Sequence, residues 1–199
     1  VNTVYRKHEN GKYSVMGDNT DVFGFQQSCP LRNYSKQGAS ALIIGAGGAS
    51  KAIILALSNL NVRRFAIINR TKDKAENLMG QIIKPEAYKD HFIYEWCKDE
   101  EQMTKPDIVV NCTSLGLQET DRIPLDFSKY KKRFFTKKII FYDLIYNPKE
   151  TNFLFNAKKM GQKAINGKMM FLYQAQKSFT IWHGIQNEIN QEVINLLDD

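Results

Sequence analysis

Clustered glycines carry the first chemical signal in this sequence. The short apolar run Ala41-Leu42-Ile43-Ile44 ends in Gly45-Ala46-Gly47-Gly48-Ala49. From Ser50 to Leu60, Ala and Leu recur at helical spacing. Strand, tight glycine turn and helix in this order predict a unit that binds a dinucleotide. Glycine tolerates the positive φ of such a turn. It also lets a pyrophosphate approach the backbone at the positive end of the following helix. A plain strand-to-helix connection can carry the same glycines, and Ser50 stands where the common fingerprint has its third glycine or alanine.

In such units an acid at the end of the second strand, about 20 residues past the glycines, holds the ribose 2′-hydroxyl. Here the apolar run Phe65-Ala66-Ile67-Ile68 ends at Asn69-Arg70-Thr71, followed by Lys72 and Lys74. No acid stands at the strand end. A guanidinium, a hydroxyl and an ammonium suit a 2′-phosphate, so the turn predicts NADP rather than NAD. The alternative is that Arg70 and the lysines form a solvated helix start.

The elements that must position these groups alternate along the chain. Helix is expected over 74–82, with Ala75, Leu78 and Met79 on one face. Short apolar strands are expected at Phe92-Ile93-Tyr94, 106–111, 138–143 and 162–165, with a helix over 151–160. Continuous apolar runs of this length fit buried parallel strands. The fold class is therefore α/β, a Rossmann-type doubly wound, mostly parallel sheet with its ligand at the strands' C-terminal edge. Residues 117–137, polar and basic, are expected to be a surface connection. The tail, 168–197, reads as two helices, 168 onward and 187–197. Met170, Tyr173, Gln174, Phe179 and Trp182 form one stripe, expected to be core except for Gln174.

The start of the chain reads differently. Val1 to Tyr5 and Tyr13 to Met16 are strand-like, joined by the hairpin signal Asn10-Gly11. Two strands alone make a marginal sheet. Residues 1–24 are therefore expected to extend a larger sheet whose other strands are not in this sequence.

Composition narrows the classes. The chain has 199 residues and net charge +7. The lysines are spread out and no interleaved aromatic–basic motif is present, which argues against a nucleic-acid partner. No apolar run approaches the roughly 20 residues of a membrane span. Val1-Asn2-Thr3-Val4-Tyr5 lacks the basic start and apolar core of a leader. Cys29, Cys97 and Cys112, and His8, His91 and His183, are scattered. They show neither disulfide nor metal spacing, which points to a reducing cytoplasm and no metal site.

Several blocks in register resemble one family. They are Val1-Asn2-Thr3, Gly17-Asp18-Asn19-Thr20-Asp21-Val22-Phe23-Gly24-Phe25, Gly45-Ala46-Gly47-Gly48-Ala49 and Asn69-Arg70-Thr71. Asn111-Cys112-Thr113-Ser114-Leu115-Gly116-Leu117 and Asp143-Leu144-Ile145-Tyr146-Asn147-Pro148 follow. Asn166-Gly167-Lys168-Met169-Met170, Gln174-Ala175, Phe179 and Trp182 complete the set. Together they resemble the shikimate dehydrogenase family over essentially the whole chain.

The resemblance implies the reversible, NADP-linked reduction of 3-dehydroshikimate to shikimate. It implies that Asp21 is the aspartate of a lysine–aspartate pair, where the sequence alone leaves a helix cap equally open. It implies that Asn2 and Gln174 meet substrate hydroxyls, since an amide can both donate and accept, and that Tyr146 borders substrate and nicotinamide. Gly45, Ala46, Gly47, Gly48, Ala49, Asn69, Arg70, Thr71, Lys74, Thr113, Ser114, Gly167 and Met170 match cofactor positions. The family's lysine and substrate-carboxylate serines lie upstream of Asn2, outside this sequence, and Lys7 and Lys12 do not match that lysine. The chain is thus expected to bind NADP but to turn over poorly alone. Residues 1–24 would be a remnant of a second α/β substrate domain, 25–167 the NADP-binding domain, and 168–199 helices returning toward the substrate domain. A homodimer is a further expectation, from apolar surface on 1–24 and the tail. The alternatives are a quinate-accepting enzyme that uses NAD and a non-catalytic NADP-binding module.

Overall fold

The computed structural model describes residues 1–33, 38–82, 91–96, 105–127 and 138–197. Cys97 and the basic stretch Lys129 to Arg133 lie outside the described residues.

A hairpin comes first. Strands β1 (Thr3–Glu9) and β2 (Lys12–Asp18) pair antiparallel, from Thr3 opposite Asp18 to Glu9 opposite Lys12. Asn10 and Gly11 both have positive φ, 52° and 73°. That geometry makes a type I′ turn and matches the twist of the strands it joins. Helix α1 (Asp21–Ser28) and a short 3₁₀ turn (Pro30–Asn33) lead into the main sheet. The expected boundary at residue 24 falls inside α1, which runs unbroken through it.

The main sheet contains β3 (Ala39–Ile44), β4 (Val62–Asn69), β5 (Phe92–Glu95), β6 (Ile108–Asn111), β7 (Ile140–Asp143) and β8 (Lys163–Ile165). Its order is β5-β4-β3-β6-β7-β8, with every pairing parallel. The crossing helices are α2 (Gly48–Asn59), α3 (Lys72–Ile82) and α4 (Asn152–Lys159). The chain reverses direction across the sheet between β3 and β6. That switch point opens a crevice at the strands' C-terminal ends.

Both faces of the sheet are covered. Ala41 and Ile43 turn toward Ile53, Leu57, Met79 and Phe25. Their neighbours Leu42 and Ile44 turn toward Phe141, Phe153 and Leu154 on the other face. This two-sided burial explains why β3 reads as an unbroken apolar run instead of alternating. Each fully buried Ile or Leu contributes about 1.5–3 kcal/mol relative to an exposed one.

Two expectations about the tail are corrected. Helix α5 (Lys168–His183) forms as expected, but helix α6 covers just Gln191–Asn195. The Asn190 side chain caps α6, and none of its residues is buried. Val193 and Ile194 are its apolar residues and are half-buried, so little packing supports a longer helix. The stripe on α5 is also interrupted. Met170 is buried, whereas Phe179 is 36% and Trp182 53% exposed. Trp182 instead donates its indole N–H to the carbonyl of Val4 at 2.9 Å. The second half of α5 thus meets the hairpin, not the sheet. No described helix is long and apolar enough to cross a membrane.

Candidate functional site

The crevice is built from the first turn outward. β3 ends at Ile44, and Gly45 turns the chain with φ 102°. A Cβ there would lie 2.8 Å from the Thr113 methyl, so conformation and space both require glycine. Gly47 and Gly48 differ. Gly47 is extended, and a Cβ on either residue would enter open space. At these two positions glycine leaves the backbone bare at the start of α2, whose N-cap makes no side-chain hydrogen bond. Free N–H groups and the helix dipole there suit an approaching phosphate. Ser50 is fully buried and donates its hydroxyl to the Gly45 carbonyl at 2.9 Å. It closes helix onto strand, as the small third residue of the fingerprint does.

Asn69, at the end of β4, joins this turn to the next. Its Oδ1 accepts the Ala46 N–H at 3.2 Å, and its Nδ2 donates to the Thr71 carbonyl at 2.7 Å. Arg70, Thr71 and Lys74 are exposed beyond it. Ala46, Gly47, Gly48 and Lys74 share a groove with Lys51, Asn77 and Gln81. Lys51 donates to Gln81 at 3.3 Å. The sequence reading missed Lys51. Its signal was a cation on the first turn of the helix that follows the glycines.

Across the switch point, a cleft of about 560 Å³ gathers Ala49, Thr113, Ser114 and Tyr146 with Cys112, Leu117 and Asn147. The loop after β6 is fixed from within. Thr113 donates through both N and Oγ1 to Asn111 Oδ1, at 3.0 and 2.7 Å. Asn111 Nδ2 donates to Asp143 at 2.9 Å. Asp143 is fully buried and also accepts from the Ile145 N–H and the Thr151 hydroxyl. Burial pushes its carboxyl up to about 6, against the opposing pull of these three donors. Burial also pushes the Cys112 thiol up, so it sits in the cleft uncharged.

Gly167 and Met170 hold α5 in place. A Cβ on Gly167 would lie 2.0 Å from the Leu144 carbonyl oxygen, so the start of α5 packs backbone-on-backbone against the loop after β7. Met170 is buried in the core beside Phe25; neither residue lines the cleft that holds Tyr146. One turn on, a Cβ on Gly24 would lie 2.6 Å from the Met170 carbonyl and 3.0 Å from the Gln174 Cβ. α1 and α5 therefore cross at close range. Phe171 stacks on Tyr146, ring centroids 4.7 Å apart.

Asp21 opens α1 and is half-buried. Its carboxylate accepts the Asn2 amide at 2.9 Å. The structure thus brings Asn2 and Asp21 together, and places Gln174 on the helix that α1 crosses. Lys7 forms an ion pair with Glu9 at 2.6 Å on the exposed hairpin, which raises its pKa.

A parallel sheet with this strand order, a bare glycine turn at its switch point and donors on both sides defines a Rossmann-type dinucleotide-binding protein. A family profile described as Shikimate / quinate 5-dehydrogenase matches residues 31–144. The shikimate dehydrogenase (NADP(+)) of Pelagibacter ubique is 43% identical over the whole chain, which spans 68% of that relative. A solved shikimate dehydrogenase from Aquifex aeolicus superposes with a TM-score of 0.71 at 32% identity, over 97% of this chain and 64% of that one. Another, in complex with NADP+, gives 0.75 at 31% identity, over 96% and 64%. The chain belongs to the shikimate / quinate 5-dehydrogenase family, and it spans about two thirds of the length of these relatives.

Proposed function

We propose that this chain is the NADP-binding part of a dehydrogenase that interconverts 3-dehydroshikimate and shikimate. The observation that carries this reading is the meeting of two sites. The Asn2–Asp21 pair opens α1, α1 crosses α5 at Gln174, and α5 reaches the cofactor cleft through Phe171 and Tyr146. Amides and a carboxylate suit the hydroxyls of a polyol. A module that only sensed the cofactor would have no need of them.

The bare turn at Gly47 and Gly48 would receive the pyrophosphate. Arg70, Thr71 and Lys74, with Lys51 beside them, would receive the 2′-phosphate through charge-assisted hydrogen bonds. NADP supplies the hydride when bound. Asn2 and Gln174 orient the substrate hydroxyls, and Asp21 takes one of them while setting the charge of a neighbouring proton donor. Lys7 does not serve as that donor in this reading, since it lies on the open face of the hairpin with its ammonium turned to Glu9.

A cytoplasmic location and a homodimer belong to the same reading. Val4, Tyr13 and Val15 leave apolar surface exposed on the hairpin, which favours self-association. Sedimentation that gives a clean monomer at high concentration would count against the dimer.

Calorimetric titration tests the cofactor assignment directly on this chain. NADP+ should bind at least about tenfold more tightly than NAD+, as one charge-assisted contact to the 2′-phosphate implies. Equal affinity, or tighter NAD+, contradicts it and favours the NAD-linked quinate alternative.

A further inference from the structure

The buried polar cluster beneath Asn2 has an unassigned member on α5. Ser178 is 8% exposed, Thr3 is fully buried and Thr20 is 2% exposed. Their hydroxyls meet at one point. Thr3 Oγ1 lies 2.6 Å and Thr20 Oγ1 3.1 Å from Ser178 Oγ. Both threonine hydroxyls also lie within reach of Asn2 Oδ1, at 3.1 and 3.2 Å. Ser178 itself donates to the Gln174 carbonyl at 3.0 Å.

One arrangement places the three hydroxyl hydrogens on the Gln174 carbonyl, Ser178 Oγ and Asn2 Oδ1, with either direction open between Ser178 and each threonine. In it Ser178 gives its hydrogen to Gln174. One threonine gives its hydrogen to Ser178, and the other to Asn2. Every buried hydroxyl is then satisfied. The Thr20 N–H adds a second donor to Asn2 Oδ1 at 3.0 Å. A reversed Asn2 amide would set donor against donor there. The amide is therefore held with its oxygen inward and its Nδ2 toward Asp21.

We propose that Ser178 is a positioning residue: it anchors the two threonines that lock the Asn2 amide, and so fixes the Asn2–Asp21 pair relative to Gln174. The role rests on the reading that Asn2 and Asp21 meet substrate. Without the Ser178 hydroxyl, one threonine hydrogen loses its acceptor inside a buried site. Both threonine hydrogens and the Thr20 N–H then crowd the two lone pairs of Asn2 Oδ1, each bond weakens, and the amide loosens.

The first test reads the Asn2 side-chain amide by ¹⁵N NMR in this chain, assigned by its loss in Asn2→Ser. In Ser178→Ala the two amide N–H resonances should shift and exchange with water about fivefold faster or more, the loss of one neutral hydrogen bond. NADP+ affinity should stay unchanged. Ser178→Thr, which keeps the hydroxyl, should restore the resonances. An Asn2 amide that is unmoved in Ser178→Ala overturns the proposal, as does a change that Ser178→Thr fails to restore. In the full-length protein, Ser178→Ala should raise the KM for shikimate about fivefold while the KM for NADP+ holds; equal rises in both overturn it. A wild-type protein without shikimate turnover would sink the functional reading, yet the amide measurement would still decide the role of Ser178.

Discussion

Thr151 gives its hydroxyl to the buried carboxylate of Asp143 across 2.6 Å, and Asn111 gives its amide to the same group from the neighbouring strand at 2.9 Å. One carboxyl thereby ties together the loops after β6 and β7 that carry Thr113 and Tyr146. Its titration should be visible in stability. The folded pKa is raised to about 6, above an unfolded value near 3.9. The folded state thus binds the proton more tightly, and stability falls as pH rises from about 4 to about 6. The loss is on the order of 3 kcal/mol. Denaturant midpoints across that window should decline in the wild type. Asp143→Asn should flatten the decline, because its amide does not titrate.

Gly167 should resist substitution for a reason apart from helix propensity. Its missing Cβ makes room for the Leu144 carbonyl, so Gly167→Ala forces the start of α5 away from the sheet. A cost of about 3 kcal/mol or more is expected for such backbone overpacking. Thermal unfolding checks it. A midpoint within a degree or two of wild type would mean that the contact relaxes freely.

The basic turn after β4 should set cofactor choice. Arg70→Ala and Lys74→Ala should each weaken NADP+ binding about 10- to 100-fold, as the loss of a charged hydrogen bond does. NAD+ binding should change little, because it lacks the phosphate. Fluorescence titration with both cofactors separates these outcomes. An equal loss for both would assign the residues to holding the turn instead.

The Rossmann architecture was open to reading because its signals are local. β3, β4, β6 and β7 are buried on both faces, so each appears as a short apolar run bounded by polar residues. Gly45 announced the turn, and Asn10-Gly11 the hairpin. The parts that escaped are non-local. Nothing near Ser178 in sequence indicates that its hydroxyl meets Thr3 and Thr20. Phe179 and Trp182 continue the helical spacing of Met170, yet α5 has by then left the sheet and met the hairpin. Lys51 was hidden by its place on an otherwise apolar helix. The acid Asp143 lies at a strand end, where the sequence showed no sign that three donors would converge on it.

Asp21 is the residue on which the proposed chemistry turns. The most direct measurement is shikimate-dependent NADPH formation by the full-length protein, wild type beside Asp21→Asn. Wild-type protein should turn over shikimate with NADP+, and Asp21→Asn should lower that turnover at least about a hundredfold, the scale of a lost general acid–base contribution, while NADP+ binding is retained. Wild-type protein that binds NADP+ yet shows no shikimate-dependent reduction would contradict the proposed function, and an Asp21→Asn variant with undiminished turnover would contradict the role of Asp21.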